Sequence, residues 1–138
     1  MQSRLFALLM LVFLASCKGQ ASSDSTITID ATKVKEVTIY NKMYCSVQPL
    51  KHEKIVITDQ KTIKEIINTF SQSQVIKEYV SLSAHYGFFE IDFKEAEKSY
   101  TYGITYTVYN GVVVSNDNQG YYYRNNSLAG LVHGLFTK

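Results

Sequence analysis

The chain has 138 residues, 46% of them hydrophobic and 19% charged, with a formal net charge of +2. That is enough for about one folded domain with a proper core. No run of Lys and Arg stands out. A nucleic-acid binder is therefore excluded, because its affinity comes from a concentrated basic surface.

Residues 1–16 read MQSRLFALLMLVFLAS. One cation, Arg4, precedes the apolar run Leu5–Leu14, and small Ala15 and Ser16 follow. This is the order of a secretory signal: charged region, apolar region, small-residue cleavage site. The run is roughly half the ~20 apolar residues of a spanning helix, so no mature span is expected from it. Leu14-Ala15-Ser16-Cys17 resembles the lipobox of bacterial lipoproteins. The resemblance implies cleavage before Cys17, lipid on its thiol, and acylation, for instance with palmitate, of the new N-terminus. It places the protein on a membrane of the cell envelope and implies nothing about the rest of the chain. Lys18 stands where such signals often carry an acidic residue for inner-membrane retention, which favours the outer membrane, on its periplasmic or surface face. Residues 17–26 then form the lipidated N-terminus and a small, polar tether, and residues 27–138 a single domain. With Cys17 carrying lipid, Cys45 has no internal disulfide partner and is expected buried as a small apolar residue.

Val34, Val37 and Ile39 among polar neighbours predict a half-exposed strand over 33–40. A connection over 41–51 holds the only proline, Pro49, and Lys54–Thr58 reads as a short strand. Asp59 then caps a helix over 60–72, whose Ile63, Ile66, Ile67 and Phe70 fall on one face. Val75–Leu82 is expected to be a strand. In Tyr86–Lys94, Phe89, Ile91 and Phe93 alternate with charge, the pattern of a sheet with one wet face. Lys94–Lys98 makes a hairpin loop. Ser99–Tyr109 sets Tyr100, Tyr102, Ile104, Tyr106 and Val108 against Thr101, Thr105 and Thr107. Asn110-Gly111 predicts a tight hairpin with positive φ at both residues, leading into Val112–Val114. Ser115–Gly120 is a further turn and Tyr121–Arg124 a last short strand. A final helix capped by Asn126 carries Leu128, Leu131, Val132, Leu135 and Phe136, with Gly130 and Gly134 expected to allow close packing. The two apolar helix faces need one apolar sheet face. The fold class is thus α+β, a single antiparallel sheet of about five to seven strands with two helices on one face.

No catalytic constellation stands out, and the chain is expected not to be an enzyme. His52, His85 and His133 lack metal-ligand spacing, and there is no nucleophile elbow, P-loop or dinucleotide fingerprint. No catalytic residue, metal site or cofactor is assigned. Asn116, Asp117 and Asn118 fit a turn better than a calcium loop. Glu90 and Asp92 share one strand face, where a solvated surface accounts for them better than an acid–base pair. Most of the eleven tyrosines fall between Tyr100 and Tyr123. Tyr102 and Tyr106 belong with the core. Tyr121, Tyr122 and Tyr123 alternate in direction and cannot all be buried. Tyr109, Tyr121, Tyr123 and Arg124 form the candidate binding patch, since tyrosine and arginine are enriched where proteins bind. The expected function is that of a lipid-anchored envelope protein that binds a protein partner without catalysis, of immunity or inhibitor type. Two alternatives are a small-ligand carrier or small envelope enzyme with a pocket between sheet and helices, and an accessory subunit of an envelope complex.

Overall fold

The computed structural model describes residues 26–42, 53–82, 85–116 and 120–138. Cys17 with its signal and most of its tether, the 43–52 connection with Cys45 and His52, and Asp117 and Asn118 lie outside the described residues. The elements are β1 (Glu36–Asn41), β2 (Lys54–Ile57), α1 (Gln60–Ser71), β3 (Gln74–Val75), β4 (His85–Lys94), β5 (Ser99–Thr107), β6 (Gly111–Asn116), β7 (Tyr121–Arg124) and α2 (Ser127–Phe136). The strands build one open sheet in the order β2-β1-β4-β5-β6-β7-β3, antiparallel throughout. With two helices against it, the class is α+β.

Alternation decides which side of each strand meets the helices. Val37 and Ile39, Phe89, Ile91 and Phe93, Tyr102 and Ile104, and Val112 and Val114 all join the buried core with Ile63, Ile66, Ile67 and Phe70 of α1. Asp59 starts α1 as expected, its Oδ2 accepting from the Thr62 amide at 2.8 Å and from the Thr62 hydroxyl at 2.7 Å. The helices divide the sheet between them. Phe70 of α1 meets Phe93 edge-on at 5.1 Å and Tyr102 at 5.5 Å. Phe136 of α2 meets Phe89 at 5.4 Å. Burying a phenylalanine contributes about 1.5–3 kcal/mol, so these rings anchor both helices. Asn125, itself buried, ties the junction between β7 and α2 to the end of α1: its amide donates to the Thr69 carbonyl at 2.6 Å and to the Ser73 hydroxyl at 2.9 Å.

Three local expectations are corrected. The strand expected over 75–82 is only Gln74–Val75. Its partner β7 offers just four residues, and the last bond, Ile76 N–H to Tyr122 O, ends the ladder. The tight Asn110-Gly111 hairpin is instead a longer turn. β5 stops at Thr107, Val108–Asn110 bulge outward, and only Gly111 has positive φ, at +72°. The Thr107 hydroxyl organises this turn, accepting from Asn110 N and donating to Gly111 O. Val108 therefore leaves the core side and is exposed. Gly130 and Gly134 do not pack closely either, because a Cβ at either position would meet nothing within 4 Å.

Candidate interaction face

The tyrosine patch is divided by the sheet. Tyr123 pairs with Val114, shares its core side, and has 0% exposure, so it is removed from the surface patch. Tyr121 has the same parity but lies at the margin and is 48% exposed. Tyr122 and Arg124 point to the opposite, open face, where Tyr122 is 37% exposed. Tyr109 sits on the protruding β5–β6 turn and is 77% exposed. That turn is fixed to Arg124, whose Nε donates to the Asn110 carbonyl at 3.2 Å. Tyr109 and Arg124 thus belong together at one end, while Tyr121 stands at the far end of the β6–β7 pair, opposite Asn116. Of the two tyrosines expected in the core, Tyr102 is buried and Tyr106 half-buried beside Phe89. Burial pushes the Tyr102 phenol above its ordinary pKa, against a hydrogen bond from Asn116 that pulls it down.

The open face is shaped by the chain between β3 and β4. Leaving the sheet edge, residues 76–82 must return to a strand near its middle. Glu78 pairs with Arg124 at 2.7 Å, the Ser81 amide donates to Asn110 Oδ1, and Leu82 comes to lie beside Phe88 and Thr105. Val113, between Thr105 and Arg124 in the ladder, points to this face and is fully buried, as a segment crossing above it requires.

Beside Leu82 lies a cleft of about 340 Å³, lined among the described residues by Leu82, Phe88, Glu90, Thr101, Gly103, Thr105 and Ser115. Gly103 lies in its lining. The ladder sets Tyr40, Glu90, Gly103, Ser115 and Tyr122 in one row across five strands. At the middle of that row the side chain is missing. The space is partly taken by the Phe88 ring and Ser115, since a Cβ on Gly103 would come within 3.0 Å of Phe88 Cε2 and 2.8 Å of Ser115 Oγ. An isolated glycine inside an alternating strand marks such an approach, and it is the signal in the sequence for this cleft.

Glu90 is half-buried in the cleft, and its carboxylate makes no hydrogen bond or ion pair to the described residues. Asp92, its neighbour on the same face, accepts from Thr101 Oγ1 at 2.6 Å. Beyond it, Lys94 reaches Glu36 at 3.6 Å. On the other side of Glu90 the Tyr40 ring carries the Lys42 and Lys54 ammonium groups at 5.3 and 5.8 Å from its centroid. His85 stands at the sheet's end with Nδ1 2.8 Å from the Leu82 carbonyl, outside the cleft lining. Among the described residues no three His, Cys, Asp or Glu side chains gather as a metal site, and no helix is long and apolar enough to cross a membrane. Comparison with protein-family models, with curated proteins and with solved structures finds no match to this chain.

Proposed function

We propose that this protein is a membrane-anchored lipoprotein of the cell envelope that binds another protein without catalysis, as an immunity or inhibitor protein does. The anchor rests on Leu14-Ala15-Ser16-Cys17. The binding role rests chiefly on one observation: the helices occupy one sheet face, and the other presents a row with tyrosines at both ends and a cleft at its middle. Exposed aromatic rings beside charged groups make effective contacts because they bury large area with few rotatable bonds. The protruding turn with Val108 and Tyr109 extends the apolar surface at one end. A small-ligand carrier is the second reading, favoured by the same cleft, whose volume lies at the lower end of the roughly 300–1,000 Å³ of ligand pockets.

The test uses the full-length chain in its own envelope. Labelled palmitate should enter the wild type and be lost in Cys17→Ser. Cross-linking in intact cells should then capture one saturable protein partner, with capture reduced by Tyr122→Ala or Tyr109→Ala. Absence of label would remove the anchor. Absence of any captured protein at every salt concentration would remove the binding role.

A further inference from the structure

We infer that the cleft over Gly103 is the seat for an arginine side chain of the protein partner, held by Glu90 and stacked on Phe88. The inference rests on the protein-binding reading above and names the chemistry of the group bound. Size comes first. A cleft of about 340 Å³ is small for a cofactor but ample for one long side chain. Its chemistry is asymmetric. Among its described lining residues it holds one carboxylate and three hydroxyls, from Thr101, Thr105 and Ser115, and no Lys, Arg or His. The carboxylate is half-buried and meets no donor among the described residues, whereas its neighbours Asp92 and Glu36 each meet one. The cations nearest in the ladder, Lys42 and Lys54, are drawn over Tyr40, on the side of Glu90 away from Gly103.

A guanidinium suits this arrangement better than an ammonium. It is planar, offers five donors in a fixed fork, and stacks on aromatic faces. The fork can engage Glu90 while its outer N–H groups reach hydroxyl oxygens, and the Phe88 ring beside Gly103 supplies the apolar surface. The missing Cβ lets the Phe88 ring and Ser115 Oγ close in over Gly103, which sets the apolar surface and a hydroxyl side by side in the lining. Arg124 cannot fill this role itself, because it is engaged by Glu78 and Asn110.

The experiment titrates the full-length, isotope-labelled protein in detergent micelles with Nα-acetyl-arginine amide and with its neutral isostere Nα-acetyl-citrulline amide. Backbone amide shifts at Gly103, Thr105 and Ser115 are the readout. Arginine amide should bind with a roughly millimolar dissociation constant, more weakly as salt rises, while citrulline amide should bind about tenfold less well. Glu90→Gln should abolish the difference between the two probes and leave the remaining spectrum unchanged, which shows that the variant folds. Equal binding of both probes, or binding indifferent to Glu90→Gln, overturns the inference. If a cross-linked partner is captured equally by wild type and Glu90→Gln, the inference fails and the binding role stands. If arginine amide binds at Gly103 but no protein is ever captured, the binding role fails and the cleft is a site for free guanidinium ligands.

Discussion

Tyr123 shows how one residue can serve packing and still carry a defect. Its ring fills the core beside Val114 and Val75, yet its hydroxyl is buried with no hydrogen-bond partner among the described residues. A buried polar group left unpaired costs about 1–3 kcal/mol. Tyr123→Phe keeps the ring and removes the group, so it should raise unfolding stability by about 1 kcal/mol, measured as a higher urea midpoint at unchanged slope. A lower midpoint would mean that the hydroxyl is satisfied. The sequence does not reveal this orientation. Tyr121-Tyr122-Tyr123 has no polar alternation from which to read a face, and parity is settled only by the pairing of Tyr123 with Val114. The four-residue patch divides for that reason. Glu90, by contrast, is legible as open-face from its alternation with Phe89 and Ile91.

At the scale of elements, what the sequence reveals depends on how local the deciding interaction is. The helix α1 is plain because its cap and its apolar stripe lie within a dozen residues of one another. Strands β4 and β5 announce themselves by period two. β3 does not. Val80 and Leu82 carry a strand-like pattern, but the length of distant β7 decides where pairing ends. Likewise Asn-Gly has the composition of a two-residue hairpin, while Thr107 and Gly111 stabilise a longer turn. In α2, Gly130 is exposed and has open space where a side chain would go. Gly130→Ala should therefore stabilise the protein by about 0.5–1 kcal/mol, a few degrees in Tm by calorimetry. A fall in Tm would show that this position needs the missing side chain.

For the molecule as a whole, two exposed aspartates give stability a defined acid dependence. Hydrogen bonds from Thr32 hold Asp30, and hydrogen bonds from Thr62 hold Asp59, below the unperturbed carboxyl value of 3.8. A depressed folded pKa means that the charged form favours the fold. The contribution is complete above about pH 5 and is lost as pH falls through 3.8 toward the lowered values. Urea midpoints measured down that range should fall less steeply in the double variant Asp30→Asn, Asp59→Asn than in the wild type. An equal slope would mean that other carboxylates govern acid unfolding. The sheet order sets a timetable as well. β3 stands at the edge furthest from β2 and pairs in the sheet with β7 alone, and Asn125 reaches back 56 residues to close the end of α1. Such long-range pairing costs more loop-closure entropy than the sequential β4–β5, β5–β6 and β6–β7 pairs, so on this ground it follows them. Until Arg124 is in place, residues 76–82 have no strand to start from and no Arg124 for Glu78 to pair with. The wall of the cleft at Leu82 is therefore fixed after the β4–β6 residues it stands beside, and a chain stopped short of β7 has most of the cleft lining without the Glu78–Arg124 pair that ties the wall down.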